Sequence, residues 1–215
     1  MENTICFLAS NNTTLQTDRS YMPTTKEHII QKSAALFNTK GYNGCSLHDI
    51  MDATGLKKGG IYNHFANKDE IAYESFDYSF DLVKLRFKEA LDLCSNSSEK
   101  IMAIIDVFAS FYTNPVTLGG CPIFNTAVDS SGIHPSLTNK ARSAINHLKR
   151  YIEIKIDEGI ESGEFKAGIK SEELSTLILT SMEGALIMAR VNNDYGPVQT
   201  VVKHLTTLIA KSRVV

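Results

Sequence analysis

Apolar residues recur at steps of three and four through most of the chain, and no segment shows the strict alternation of a half-buried strand. Past Pro23, Thr24 or Thr25 can cap a helix near 25–40, on which Ile29, Ile30, Ala34, Leu36 and Phe37 cluster at helical spacing and which Gly41 ends. Ser46-Leu47-His48-Asp49 has the spacing of a capping box, so a helix of about two turns runs through Ile50 and Met51 to a stop at Thr54-Gly55. A second short helix is expected over 57–64 with Ile61 and Phe65 inward, and Asn67-Lys68-Asp69-Glu70 caps a longer one. That long helix reaches about Leu93 and carries Phe76, Phe80, Val83, Phe87 and Leu91 as one apolar stripe, as a connector between two packed units would. Gly59 and Gly60 each lower helix propensity by about 1 kcal/mol relative to Ala, so the 57–64 segment is expected to be weakly helical on its own.

The helical period continues beyond. Ile101, Ile104, Ile105, Phe108 and Phe111 form a helix that ends before Asn114-Pro115. Between Pro115 and Pro135 the chain is least regular, with a short helix expected around Phe124 to Val128. Pro135 then opens a long amphipathic helix through Ala141, Ile145, Leu148, Ile152, Ile156 and Ile160 to Ser162-Gly163. Ser171-Glu172-Glu173 opens another, with Leu174, Leu177, Ile178, Met182, Ala185, Leu186 and Ala189, and after Gly196-Pro197 a last one carries Val198, Val201, Val202, Leu205, Leu208 and Ile209. The small residues Ser175, Ser181, Gly184 and Ala185 allow close approach of these last two helices, either as intramolecular core or as a self-complementary interface between two copies. The fold class is therefore all-α: short helix, tight glycine turn and short helix in an N-terminal head, followed by a larger helical body.

Composition narrows the partners. The 215 residues are 43% apolar and 21% charged, ordinary for a globular chain. No run of about 18 consecutive apolar residues occurs, so no membrane-spanning segment is expected. Residues 1–23 lack periodicity and a basic start followed by an apolar run, and they read as a flexible N-terminal arm and not as a secretory signal. Four cysteines, Cys6, Cys45, Cys94 and Cys121, form no CxxC pair, which fits a reducing compartment and a cytoplasmic protein. The net charge of −2 hides a polarity: residues 24–68 hold six lysines against three acidic residues, while the rest of the chain is acidic. A basic head on an acidic body suits binding of a polyanion at one end. The expected domains are accordingly 24–69 for the head and 70–215 for the body.

Phosphate-binding Gly-rich loops, the GxSxG elbow and HExxH are all absent, and nothing sets a nucleophile beside a base, so no enzyme is expected. Cys121, His134 and His147 lie 13 residues apart in succession, which is no ligand spacing for a metal, and neither metal nor cofactor is expected. A helical adaptor that binds protein through the same small head is the competing class.

The stretch from Gly41 to Glu70 resembles the helix-turn-helix of the TetR family of bacterial transcriptional regulators. The matching positions are Gly41-Tyr42, Ser46, Asp49-Ile50, Gly55-Leu56, Lys58-Gly59, Tyr62, His64-Phe65 and Lys68, while Cys45, Met51, Thr54 and Lys57 depart from the residues frequent there. Beyond about Phe76 the resemblance rests on helical pattern, length and Glu183-Gly184-Ala185. It implies a dimeric, ligand-responsive DNA-binding regulator, most often a repressor, whose two heads meet half-sites of a palindromic operator about 34 Å apart. It puts Lys58, Gly59, Gly60, Tyr62 and Asn63 on the recognition surface and favours Ser46, Tyr62, His64 and Lys68 for phosphate. Asn63 suits adenine, Lys57 or Lys58 suits guanine, and His48 can reach a base or a phosphate; Tyr62 also admits a plain packing role. For the body the resemblance implies a homodimer through the last two helices and a small-molecule or electrophile effector. Candidate pocket residues are Phe80, Phe87, Phe108, Phe111, Tyr112, Cys121, Phe124, Tyr151 and Met182, each of which reads first as core packing, with Cys121 either a sensing thiol or an inert wall.

Overall fold

The computed structural model describes residues 22–214, so the expected arm lies outside the described residues apart from its last two positions. Among those described, the regular elements are helices α1 (Thr25–Gly44), α2 (Leu47–Thr54), α3 (Lys58–Tyr62), α4 (Lys68–Leu91), α5 (Ser97–Thr113), α6 (Pro122–Ser130), α7 (Pro135–Glu161), α8 (Ser171–Asn192) and α9 (Gly196–Ser212). The all-α expectation holds; an isolated antiparallel bridge ties Phe165 to Arg213.

Local chemistry sets most boundaries. The Thr24 hydroxyl accepts from the Glu27 amide, and the Glu27 carboxylate accepts from the Thr24 amide at 2.8 Å, closing a capping box at the start of α1. Ser46 and Asp49 make the same reciprocal pair for α2, at 2.7 and 3.2 Å. Gly41 takes φ 72° and ψ 169°, so the helical run of α1 breaks there even though one more turn follows. The expected helix over 57–64 is shorter: Lys57 is its N-cap with no side-chain acceptor to offer, two of its five residues are glycine, and Asn63 closes it. By contrast α6 is longer than expected, because Pro122 supplies a preset φ and needs no donor at the first helical position.

Two cores result. Ile29, Cys45, Ile50, Ile61, Phe65 and Ile71 close the head formed by α1 to α3 and the first turn of α4. Phe76, Val83, Phe87 and Leu91, further along α4, belong to the body core with residues of α5 to α9. The long α4 thus passes from one core into the other, as its stripe implied. In the body, α5 packs against α4, α7, α8 and α9, and α7 lies on α6 and α8.

One helix crossing is set by a glycine. A methyl group on Gly159 of α7 would run into the Phe165 ring and lie 2.8 Å from the Ser97 Cβ, where Glu164 caps α5 by accepting from the Ser97 and Ser98 amides at 2.9 and 2.8 Å. Gly159→Ala is expected to lower stability by about 1–3 kcal/mol through overpacking, read as a lower urea midpoint at unchanged m-value.

Helix α8 has no run of 18 consecutive apolar residues, yet it carries apolar residues on more than one side. By length and composition it is apolar enough to cross a membrane, with mean hydropathy 1.4 over its most apolar window, yet half of that window is buried inside the fold. Leu174, Ile178, Met182, Ala185 and Ala189 face the body core, while Leu177, Ile187, Met188 and Val191 are exposed. Apolar residues on both sides suit a helix covered by its own body on one face and by a second chain on the other.

Candidate nucleic-acid interface

Gly55 turns the chain in the left-handed region, φ 71°, between α2 and α3. Ile50 and Ile61 are fully buried and Phe65 nearly so, which pins α3 against the head core by one face. Its other face, with the residues flanking it, is exposed: Lys57, Lys58, Gly59, Tyr62, Asn63 and His64. Tyr62 is 38% exposed, with the Lys58 ammonium 5.7 Å from its ring centroid, so the ring lies on the surface and not in the core. A methyl group on Gly59 would meet nothing within 4 Å, so packing inside the protein does not require a glycine there, whereas Gly60 abuts Leu56. Lys57 and Lys58 carry no ion pair among the described residues. The exposed face therefore offers two free cations, an amide, an imidazole and a phenol around a bare backbone, the groups that reach phosphates and base edges.

Other expected DNA residues have partners within the chain. Ser46 is exposed, but its hydroxyl is engaged with Asp49 at 2.6 Å. Asp49 also takes the Lys40 ammonium at 2.5 Å, and Lys40 first, then Ser46, hold its carboxyl well below the usual range. His48 Nδ1 lies 2.9 Å from Asp52, both on the surface. Lys68 differs most from expectation. Its ammonium donates to the Tyr42 carbonyl at 2.7 Å and sits 4.2 Å from the Tyr42 ring centroid, so it closes the head internally. Tyr42 in turn donates its hydroxyl to Asp69, and the Asp69 carboxylate lies 3.6 Å from Nε2 of His134, the N-cap of α7. The Tyr42 amide donates to Asp129 of α6 at 2.6 Å.

Among the described residues, the nine pocket candidates are divided between the packed body core and the edge of one groove. Phe87, Phe108 and Phe111 are buried and meet edge to face, with centroids 5.1 to 6.5 Å apart. Met182 is fully buried, and Tyr112 faces Tyr195. Phe124 and Tyr151 are partly buried against the same core. Only Phe80 borders a groove of about 450 Å3 between α4 and α7, whose floor is Phe76, Phe80 and Ala144 and whose rim is Asp77, Asn139, Lys140, Ser143 and His147. The Lys140 ammonium bridges that rim to Asp77 at 2.7 Å, and the Phe80 and His147 rings meet edge to face at 5.6 Å. A smaller hollow of about 30 Å3, room for a water, lies where Asn38, Tyr42, Ser75 and Asp129 meet between head and body.

Cys121 is 3% exposed and N-caps α6. Burial pushes its thiol well above the ordinary value, and the neighbouring Glu183 carboxylate adds to that, the opposite of the exposed electropositive setting of a reactive thiolate. Glu183 on α8 is itself 4% exposed and one of its oxygens has no hydrogen-bond partner. Burial pushes its carboxyl up to about 7, with the Cys121 thiol and Arg190 holding it back in part. The sequence reading missed this pair and also Asn38, Asn125, Asp129 and Arg190, which join head and body; mid-helix polar residues on largely apolar faces were the only signal available.

Residues 29–74 match the profile of bacterial regulatory proteins of the tetR family, and residues 97–205 match that of the tetracyclin repressor-like C-terminal domain. The crystal structure of a TetR transcriptional regulator from Chloroflexus aurantiacus is 38% identical and superposes with a TM-score of 0.85, covering 88% of this chain and 96% of that one. The HTH-type transcriptional repressor DhaR of Mycobacterium sp. (strain GP1) is 22% identical over 172 residues, 80% of this chain and 85% of its own. The fold is shared with a cysteine mutant of the TetR family regulator CifR, complexed with 26 bp double-strand operator DNA, at 18% identity and TM-score 0.75 over 84% of this chain and 94% of that one. With head and body each matched separately, and with that 38% identity over nearly the whole fold, the chain belongs to the TetR family of transcriptional regulators: it is a DNA-binding regulator and not an enzyme.

Proposed function

We propose that the protein acts in the cytoplasm as a homodimeric repressor that holds a palindromic operator through α3 and its flanks and releases it when a small molecule binds the body. The observation that carries this is the exposed face around α3, where Lys57, Lys58, Tyr62, Asn63 and His64 are exposed around Gly59 while Ile61 and Phe65 hold the helix from behind. Lys57, Lys58, Tyr62 and His64 meet phosphate and base edges, Asn63 reads a base, and Gly59 with Gly60 lets the backbone approach the duplex. Ser46, His48 and Lys68 each have a partner within the head; they act on DNA by shaping the head as much as by direct contact. DNA-bound CifR and the repressor DhaR, which share the fold or the family, support operator binding and repression.

The outward stripe of Leu177, Ile187, Met188 and Val191 on α8 supports dimerisation through α8 and α9. The groove between α4 and α7 supports an effector with an aromatic or apolar body that lies on Phe76 and Phe80 and engages the rim at Lys140 and His147. A wedge there moves α4, whose first turn belongs to the head core. The inaccessible thiol of Cys121 favours a non-covalent effector over an electrophile.

Selection of bound duplexes from a random DNA pool at fixed salt, followed by mass analysis of the complex, tests the reading. A palindrome bound by two chains is expected; a pool that enriches nothing and binds only weakly and salt-sensitively would refute it.

A further inference from the structure

We propose that Asn125 and Arg190 are positioning residues for operator binding, which carry the placement of α8 to the head and so set the distance between the two recognition helices of the dimer. The inference rests on the operator reading above, and on two copies joining along α8 and α9.

Asn38, near the C-terminal end of α1, is 7% exposed, and its amide nitrogen reaches the Thr117 hydroxyl at 3.0 Å and the carbonyls of Leu118 and Gly120 at 2.8 and 3.0 Å. Asn125 of α6 returns the bond: its amide nitrogen donates to the Asn38 side-chain oxygen at 2.9 Å and to the Gly119 carbonyl at 2.8 Å. The Asn125 side-chain oxygen then accepts from Nη1 of Arg190 at 3.2 Å, near the end of α8. One unbroken chain of side-chain hydrogen bonds thus runs from the helix that presents the outward apolar stripe to the helix that carries the head.

The loop between is shaped around that chain. Gly119 has φ 106° and a methyl group there would lie 2.7 Å from the Asn38 backbone oxygen; Gly120 has φ 90° and would place one 2.6 Å from Arg190 Nη1. Neither position admits a side chain without displacing a member of the relay. Asp129, one turn beyond Asn125 on α6, accepts from the Tyr42 amide just past the break at Gly41. Helix α6 therefore grips the end of α1 at two places one turn apart, and a grip at two points transmits rotation where a single bond would act as a pivot. Arg190 lies between Ile187 and Val191 in sequence, so its backbone moves with the exposed stripe. Helix α4 packs on both α1 and α6, so effector geometry reaches the same junction from the groove side.

The test uses the full-length chain on three duplexes: the selected operator, the same operator with one base pair inserted between half-sites, and a single half-site. The wild-type protein is expected to lose about tenfold or more in affinity on insertion, because two rigidly held heads tolerate no change in spacing. Arg190→Ala and Asn125→Ala are each expected to reduce that penalty to about threefold or less while keeping half-site affinity within about twofold of wild type, and Arg190→Lys, which keeps a cationic donor, to restore part of it. A merely structural role would weaken every duplex alike and leave the spacing penalty unchanged, and that result overturns the relay. Arg190 is exposed, so Arg190→Ala keeps the test informative if Asn125→Ala fails to fold. A wild-type protein that enriches no palindrome overturns the operator reading and the relay with it; a wild type with a spacing optimum that both variants share overturns the relay alone.

Discussion

Glu183→Gln is expected to gain stability over the wild-type protein as pH rises, by about 3 kcal/mol between about pH 4 and pH 8. Glu183 sits on α8 with one oxygen unpartnered, and burial raises its folded carboxyl to about 7 from an ordinary value of 4.5. Between those values the unfolded chain has released its proton while the native protein has kept it, so the native state binds more protons and stability falls as pH rises. Below about pH 4 both states are protonated and the effect is absent; above the folded value it is complete. The Cys121 thiol can donate to the neutral amide as it does to the carboxylate, and any fixed cost of that exchange is the same at every pH. Urea unfolding of both proteins across this range measures the divergence. A difference that stays flat would mean that the carboxyl at position 183 titrates in the native state as it does in the unfolded chain, with a partner or water satisfying its free oxygen.

The legibility of this protein followed the range of its interactions. The caps at Thr24 with Glu27, Ser46 with Asp49 and Asn67 with Glu70 each act over three residues, and all three helix starts could be read from spacing. Helix α3 was overestimated because its pattern of Ile61 and Phe65 persists beyond the hydrogen bonds that two glycines and an uncapped Lys57 sustain. In the body, Phe87, Phe108 and Phe111 had the residue type and the period of either a pocket wall or a core; which of the two depends on side chains from helices far apart in sequence that fill the space between them. The position of Lys68 suits a phosphate ligand, and its bond to the Tyr42 carbonyl depends on where the break at Gly41 leaves that carbonyl. The Asn38 network was beyond sequence reading for the same reason: its partners lie 79 to 87 residues away and have no pattern of their own.

Replacing both Lys57 and Lys58 by Ala is expected to weaken operator binding by about a thousandfold at 0.15 M salt, and to make the dependence of log affinity on log salt shallower by about 3 to 4. Both ammonium groups are exposed and without an ion pair among the described residues, so the folded state loses little when they go; Lys57 makes no side-chain cap bond, and Lys58 gives up only its place near the Tyr62 ring. In a dimer four cations are removed, and each neutralised phosphate contributes about 0.7 to log affinity at that salt through the counterions it releases, which sums to the expected loss. The slope separates this from a loss of base reading: Asn63→Ala should leave the salt dependence as it is and relax discrimination at one position of the half-site. Lys68→Ala makes the opposite comparison, since its ammonium holds the Tyr42 carbonyl, and lower melting temperature should accompany whatever affinity it loses. Titrations of labelled operator from 0.05 to 0.4 M salt, with thermal melts of the free proteins, measure these quantities together. If the double variant keeps the wild-type salt slope, the phosphate-facing surface of the head lies elsewhere, and the exposed face around α3 is not what holds the DNA.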